Sequence, residues 1–165
     1  MLKPVLTGIF GIMLSFCSQV PVFAAETVKI AHIDPLSGPF ALVGESFAHH
    51  LAAAAAETNA KGGIQFEIVD LDNKSSPQES VLMLKEAADR GIRYLTQGAG
   101  SNNAHALSEA VAKHNERNPD KSILYLNFAA QDPALTNEKY NFWHFRFDAN
   151  VDMKIEAMTN YITSR

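Results

Sequence analysis

The chain of 165 residues carries 14 Lys and Arg residues against 18 Asp and Glu residues, a net charge of −4 with neutral histidines. Its basic residues are scattered and form no run, which argues against nucleic acid and anionic membrane surfaces as partners. The length suffices for one domain with a hydrophobic core of its own.

Residues 1–24 have the pattern of a cleaved secretory signal peptide. Lys3 gives a positive start, residues 5–17 form an apolar run, and Val22-Phe23-Ala24 places small residues at the two subsites before the cut. The apolar run is short for a membrane anchor, and no stop-transfer charges follow it. We therefore predict cleavage after Ala24 and export of the mature chain.

The only cysteine of the chain, Cys17, lies within this predicted signal peptide. A lipoprotein would have a small residue before the lipidated cysteine, whereas Phe16 stands there, so we expect no lipid anchor. Cleavage also removes Lys3, which leaves 13 basic against 18 acidic residues, a net charge of −5. Since the mature chain has no cysteine for a disulfide, its stability must come from packing.

Strand and helix patterns alternate regularly along residues 25–165. The apolar run over residues 28–33 predicts a first strand that Asp34-Pro35 ends, and a helix is expected over residues 45–59. Glycines 62 and 63 end this helix. Its inward face is predicted from residues at helical spacing: Phe47, Leu51, Ala54, Ala55 and Thr58.

A second strand is predicted over residues 64–71, followed by a polar loop. Ser76-Pro77-Gln78-Glu79 then has the pattern of a capping box with proline at the first helical position. The helix that begins there ends at Gly91. Its predicted inward residues are Val81, Leu84 and Ala88.

The remaining elements follow in the same alternation. They are a strand over residues 92–96, a helix over 103–115, a strand over 122–128, a strand over 141–147 and a helix over 151–162. Inward positions on the two helices are predicted from their spacing: Ala104, Leu107, Val111, Ile155 and Met158. The alternating aromatic residues of the fifth strand are predicted to enter the core: Trp143, Phe145 and Phe147.

This alternation predicts an α/β fold with a doubly wound parallel sheet, Rossmann-like in class with the flavodoxin-like strand order 2-1-3-4-5. In that order the first and third strands flank the switch point, and the turns after strands one, three and four converge there. A ligand crevice is therefore expected beyond the carboxyl ends of these strands.

The turn after the third strand, residues 98–103, is the strongest candidate for a binding element. Its two glycines let the backbone approach a ligand, the amides at the start of the next helix attract an anion, and Ser101 adds a hydroxyl donor. Alternatively, Ser101 or Asn102 only caps the helix. The turn is no dinucleotide fingerprint, because Asn103 stands at the third glycine position, and we expect no cofactor.

Other polar residues give weaker signals. His49 and His50 are adjacent on a helix and the remaining histidines are dispersed, so no metal site is predicted. Asp70 and Asp72 share one face of a strand, which favours a solvated strand end over acid–base chemistry, since no nucleophile accompanies them. Arg146 is expected to pair with an acid.

Several segments in order resemble one known family across nearly all of residues 25–165. They are Ser37-Gly38-Pro39 with Gly44, Asn59-Ala60-Lys61-Gly62-Gly63-Ile64, the turn at 70–77, Gly91-Ile92-Arg93-Tyr94-Leu95, and the segment 129–136. This combination resembles the branched-chain amino-acid-binding proteins of bacterial ABC transporters, of the leucine/isoleucine/valine type. These are type I periplasmic solute-binding proteins.

The resemblance implies a periplasmic, monomeric, two-lobed protein that is not an enzyme, closes on an amino acid or related carboxylate and delivers it to a membrane permease. Residues 25–165 would be its N-terminal lobe, without the second lobe. A ligand-binding sensory or receptor domain of the same fold is the alternative. An exported enzyme is a third possibility, but the chain has no catalytic constellation.

The resemblance also implies roles for particular residues. The ligand carboxylate would lie at Gly100 and Ser101, and the ammonium group would meet the carbonyl of Ala129. A threonine of the family is replaced by Gln131, and an aromatic residue that covers the ligand is replaced by Val43. These two departures leave the side-chain specificity open.

Overall fold

The computed structural model describes residues 26–165, so the predicted signal peptide lies outside the described residues. Five parallel strands of this region form one sheet in the order β2-β1-β3-β4-β5, which confirms the predicted α/β fold and strand order. The strands are β1 (Thr27–Asp34), β2 (Gln65–Asp72), β3 (Tyr94–Gln97), β4 (Leu124–Asn127) and β5 (His144–Arg146).

Helices alternate with the strands. They are α1 (Ala41–Ala60), α2 (Pro77–Asp89), α3 (Ser101–Arg117) and α4 (Val151–Thr163), and two short 3₁₀ turns lie at Pro119–Lys121 and Pro133–Leu135. None of the helices within residues 26–165 combines the length and the apolar character that a bilayer span requires.

The hydrophobic core lies between the sheet and helices α2 and α3, which pack against each other. It is built from fully buried apolar side chains of strands and helices alike: Ala31, Ile33, Leu84, Leu95, Leu107, Val111, Ile123, Tyr125 and Leu135. The predicted inward face of α3 is therefore confirmed. On α2, Leu84 is buried as predicted, whereas Val81 is exposed and Ala87 is buried in its place.

The start of α2 is the best-predicted boundary. Ser76 is the N-cap residue and its Oγ accepts a hydrogen bond from the Glu79 N–H at 3.3 Å, with Pro77 at the first helical position. The second half of the capping box is absent, because the Ser76 N–H donates instead to the carbonyl of Asn73 at 2.8 Å. Glu79 thus stays free to approach Lys74.

Helix α1 begins at Ala41, four residues before the predicted start. A close approach of the helix backbone explains its orientation, because a Cβ atom on Gly44 would lie 1.9 Å from the Pro35 carbonyl oxygen. The buried face consequently follows Gly44 and Ala48, and the prediction that Ala54 and Thr58 point inward is wrong.

The last two elements differ most from expectation. On β5 the buried residue is His144, whereas Phe145 on the other face of the strand is exposed. Phe147, which follows the strand, is 73% exposed. Trp143 alone of the three aromatic residues packs against the core. Helix α4 buries no residue, so the predicted inward positions Ile155 and Met158 are wrong as well. An edge strand of three residues offers too little surface to bury both an aromatic face and a following helix.

Candidate functional site

A cleft of about 330 Å³ lies beyond the carboxyl ends of the neighbouring strands β1 and β3. Its walls come from the turns after three strands: Pro35, Phe40, Ser75, Ala99, Gly100, Ser101, Asn102 and Asn103. Ligands of doubly wound sheets bind in such crevices, where the strand order reverses. Two of the predicted site residues, Gly100 and Ser101, thus lie on the cleft wall.

The first turn of α3 presents main-chain amides to this cleft. Gly100 is the N-cap residue, with a φ angle of 86° that favours glycine, and no side chain caps the helix. Ser101 is the first helical residue, so the alternative in which Ser101 or Asn102 serves as the cap is wrong. An uncapped helix start carries positive partial charge and suits an anion.

The turn before α3 is held from both sides by buried side chains. The Asp34 carboxylate accepts hydrogen bonds from the N–H groups of Gly98, at 2.9 Å, and Ala99, at 2.8 Å. On the other side, Gln97 Nε2 donates to the Ala99 carbonyl at 2.6 Å, and Asn103 Nδ2 donates to the same oxygen at 3.2 Å. Hydrogen bonds therefore fix both the main-chain N–H and the main-chain carbonyl of Ala99.

Gly98 lies against two aromatic side chains at the start of the turn. A Cβ atom at this position would lie 2.4 Å from the ring of Phe128 and 3.0 Å from the ring of Phe47. These two rings pack edge to face, with centroids 4.8 Å apart. Because a side chain at position 98 would displace this aromatic pair, the packing favours glycine there.

His32 lies beneath the turn and contacts two carboxylates. Its Nε2 is 2.9 Å from Asp34 Oδ2, and its Nδ1 is 2.9 Å from Asp70 Oδ1. Burial alone lowers the pKa of His32, but the hydrogen bonds and charges of Asp34 and Asp70 outweigh burial and raise this pKa above its ordinary value of 6.5. His32 and Asp34 are fully buried.

The end of β2 anchors the loop that carries Phe40. Asp72 accepts hydrogen bonds from the Leu36 N–H at 2.9 Å, the Ser37 hydroxyl at 2.5 Å and the Lys74 N–H at 2.8 Å. Burial by itself raises the pKa of Asp72, but these hydrogen bonds outweigh it and hold the pKa below 3.8. Asp70 and Asp72 are thus not the free, solvated strand end that the sequence suggested.

Three predicted site residues do not line the cleft: Ala129, Gln131 and Val43. Ala129 follows β4 and donates its N–H to Asn127 Oδ1 at 3.1 Å, and the Gln131 carbonyl accepts from the Val151 N–H at 3.1 Å. Val43 lies on the first turn of α1. The aromatic residue that does line the cleft is Phe40, which directly precedes α1 and is 59% exposed.

Arg146 does not pair with an acid. Its guanidinium donates to the Asp132 carbonyl at 2.9 Å and to Thr136 Oγ1 at 2.6 Å. The Asp132 carboxylate contacts the His105 ring instead, at 2.7 Å. The arginine therefore stabilises the loop after β4. Within residues 26–165 no three His, Cys, Asp or Glu side chains are placed to hold a metal ion.

Sequence reasoning missed His32, Asp34, Gln97 and Tyr125, whose hydroxyl donates to Gln97 Oε1 at 2.6 Å. The alternation of His32 and Asp34 along β1 indicated that they share a face. Their partners, however, follow only from the strand pairing, which places Asp70 opposite His32.

Sequence comparison relates the chain to proteins of known name. A family model described as periplasmic binding protein matches residues 27–165. The Leu/Ile/Val-binding protein homolog 4 of Brucella abortus is 33% identical over 138 residues, which cover 82% of this chain and 33% of that protein. The Leu/Ile/Val-binding protein of Escherichia coli is 30% identical over 119 residues, covering 70% of this chain and 30% of that protein.

Structural comparison agrees with the sequence. The leucine-, isoleucine-, valine-, threonine-, and alanine-binding protein of Brucella ovis, in its closed conformation, superimposes with a TM-score of 0.72 and 36% identity, covering 76% of this chain and 33% of that one. The chain thus spans about a third of the length of the curated relatives it matches. The family model matches residues 27–165, and the strand order is β2-β1-β3-β4-β5. The chain therefore belongs to the periplasmic binding proteins and resembles those that bind branched-chain amino acids.

Proposed function

We propose that the protein is the solute-binding component of an ABC transporter and captures an amino acid or a related small carboxylate for import. The observation that carries this proposal is the uncapped start of α3, with Gly100 as its N-cap residue, on the wall of the cleft at the switch point of the sheet. An α-carboxylate placed there receives main-chain N–H groups and the positive end of the helix.

The proposed carboxylate site consists of Gly100 and Ser101. Ser101 Oγ accepts a hydrogen bond from the Asp132 N–H, which leaves the hydroxyl proton free to be donated to an anion. The ammonium group is proposed to meet the carbonyl of Ala129 at the end of β4, the strand next to β3. Gln131, at the position of the family's threonine, is proposed to assist Ala129 at the ammonium group, and Val43 is proposed to cover the ligand. Phe40 forms an aromatic wall of the cleft.

The relatives named above support an amino acid as ligand, because their names state that they bind leucine, isoleucine and valine, and in one case also threonine and alanine. Our proposal extends to export into the periplasm with Ala25 as the first residue, to a permease as partner, and to a function without catalysis. Mass spectrometry of exported protein checks the first residue, and an intact Met1 or a lipid on Cys17 would contradict it.

Residues 25–165 supply only one wall of the proposed site. The cleft is open, and Phe40 presents most of its ring to solvent. A second lobe is proposed to close over the ligand and exclude water, as hinge closure does in two-lobed binding proteins. We therefore expect residues 25–165 alone to bind amino acids weakly, and the complete encoded protein to bind them tightly.

A thermal-shift screen of the complete protein tests the proposal. The panel contains leucine, isoleucine, valine, threonine and alanine, with a decarboxylated analogue, isoamylamine, as the matched control for leucine. A ligand at a hundredfold excess over its dissociation constant stabilises the folded state by about 2.7 kcal/mol. We expect a rise in melting temperature with at least one amino acid and none with isoamylamine. No shift with any amino acid or other small carboxylate would contradict the proposed function.

A further inference from the structure

The chain Asp70–His32–Asp34 joins strands β1 and β2 and ends at the amides of the candidate site. Both ring nitrogens of His32 lie 2.9 Å from carboxylate oxygens, one of Asp70 and one of Asp34. A carboxylate only accepts hydrogen bonds, so each nitrogen must donate a proton for both bonds to form. The geometry therefore requires the positively charged imidazolium form of His32.

Asp34 transmits this arrangement to the turn. Its Oδ2 atom accepts from both the His32 ring and the Gly98 N–H, while its Oδ1 atom accepts from the Ala99 N–H. Gly98 and Ala99 immediately precede Gly100, the N-cap residue of α3. A rotation of the Asp34 carboxylate would therefore rotate the peptides that set the direction of the next amides.

Charge gives a second reason for coupling. Asp34 is fully buried directly below the turn, and a buried carboxylate without a counter-charge would repel an anion in the cleft and destabilise the fold. The imidazolium of His32 supplies that counter-charge from within the core. Neutral His32 would retain one hydrogen bond at most and would leave the negative charge of Asp34 uncompensated.

We propose that His32 is a positioning residue for ligand binding, which acts through Asp34 to hold the turn at residues 98–100 in the conformation and electrostatic state that accepts an anion. The expected effect of His32 on ligand affinity rests on the proposed function. The hydrogen-bonded chain also predicts an effect on the turn itself, which is measurable without any ligand.

The surroundings of His32 limit the groups that control its charge. Asp34 comes from its own strand and Asp70 from β2, whereas the register partner on β3 is the neutral Thr96 and the ring of Phe128 lies 6.4 Å away. On β4, burial followed by the charge of Asp34 raises the pKa of the Tyr125 hydroxyl well above 10.0. We therefore expect His32 to lose its charge only above pH 6.5, where Tyr125 remains neutral.

The decisive variant is Asp70→Asn, with Glu67→Gln as its matched control. The Asp70 side chain is 44% exposed, so its replacement leaves the core intact, whereas His32→Ala would empty a fully buried site. Glu67 lies on the same strand, loses the same charge and contacts Lys29 rather than His32. NMR titration of the complete protein follows the His32 ring and the Gly98 and Ala99 amides, and calorimetry follows the affinity for L-leucine.

In the native protein we expect the His32 ring to titrate above pH 6.5, the two amide resonances to move with the same midpoint, and affinity for L-leucine to fall roughly tenfold across it, as for loss of a hydrogen bond to a charged group. Asp70→Asn should shift all of these midpoints together to lower pH, and Glu67→Gln should leave them unchanged. If His32 had a merely structural role, Asp70→Asn would still move the midpoint of the His32 ring, but the two amide resonances and the affinity would not follow that midpoint.

Two results overturn the inference. One is that the Gly98 and Ala99 amides do not respond to the titration of His32, and the other is that affinity for L-leucine stays constant across it. If the protein binds no amino acid at any pH, the proposed function fails instead. The amide resonances of the ligand-free protein then still decide whether His32 positions the turn.

Discussion

The main-chain N–H of Asp132 donates a hydrogen bond to Ser101 Oγ across 3.3 Å and ties the loop after β4 to the first turn of α3. The contact joins residues 31 positions apart in sequence, and it occupies one lone pair of the hydroxyl oxygen, which accepts the hydrogen bond. The remaining O–H is then directed by whatever acceptor enters the cleft. Ser101 is therefore prepared to donate to an anion before the anion arrives.

The first prediction follows from that contact. Ser101→Ala in the complete protein should weaken amino-acid binding by about 1.5–3 kcal/mol, the range for a hydrogen bond to a charged group. Loss of the hydrogen bond from the Asp132 N–H should also lower the stability of the free protein, by about 0.5–1.5 kcal/mol. Calorimetric titration and urea unfolding measure the two quantities. Ser122→Ala is the control, because Ser122 precedes the amino-terminal end of β4, whereas the cleft lies at the carboxyl ends of the strands. Unchanged affinity together with lost stability would contradict the prediction.

The second prediction concerns the backbone of Gly100. Gly100→Ala forces a side chain onto a φ angle of 86°, which costs about 1–2 kcal/mol, and places Cβ 3.2 Å from Asn103 Nδ2. Gly62→Ala has a similar φ angle of 79° and no neighbour within 4 Å, so it isolates the backbone strain. We expect Gly100→Ala to destabilise the protein more than Gly62→Ala in urea unfolding. Equal losses would mean that Asn103 moves aside freely.

The third prediction uses His144, which is buried on β5 against the Tyr125 ring. Burial lowers the pKa of His144 to about 4, below its ordinary value of 6.5. Between these values the unfolded chain binds a proton that the folded chain does not, so the free energy of unfolding should fall by up to about 3 kcal/mol as the pH decreases from 6.5 to 4.

Urea unfolding at a series of pH values measures this loss, and His144→Phe should reduce it because the titrating group is gone. His49→Phe, at an exposed position of α1, is the control for replacing a histidine by phenylalanine. His32 acts in the opposite sense. Its pKa is raised in the folded state, so its stabilisation is complete below pH 6.5 and is lost as the pH rises through the folded-state value.

The fourth prediction concerns the loop that carries Phe40. Asp72→Asn removes the charge that accepts the Leu36 N–H and the Ser37 hydroxyl, so it should cost about 1–3 kcal/mol and expose the Leu36 amide to hydrogen exchange. Hydrogen exchange followed by NMR measures the effect at that amide. Asp120→Asn, an exposed residue in the 3₁₀ turn before β4, is the control. Unchanged protection of Leu36 in Asp72→Asn would show that the loop is held by other contacts.

The fold was predictable because its signals are local. Ser76 and Pro77 indicate the start of α2, and the spacing of Ala104, Leu107 and Val111 identifies the inward face of α3. The end of the described chain misled the same reasoning, because helical spacing on α4 indicates an apolar face but not what covers it. Likewise, the alternation on β5 does not say which of its two faces turns inward.

The candidate site was predictable only at its backbone. The glycines of the turn and the start of α3 have sequence signals, whereas the supporting side chains act across the sheet. Asp34 reaches Gly98 over 64 positions and His32 reaches Asp70 over 38, so both contacts depend on strand register. No pattern within one strand specifies such pairs.

Gly98 constrains how this protein can diverge. A side chain there would displace the packed rings of Phe47 and Phe128, so such a variant is expected to disturb the turn before it alters the preference for a ligand. Phe40 and Asn102, by contrast, line the cleft and are exposed, so their replacement leaves the buried side chains in place. Changes of ligand preference are therefore expected at Phe40 and Asn102 rather than at Gly98. A library designed to change the ligand of this protein should vary the exposed residues of the cleft and keep Gly98.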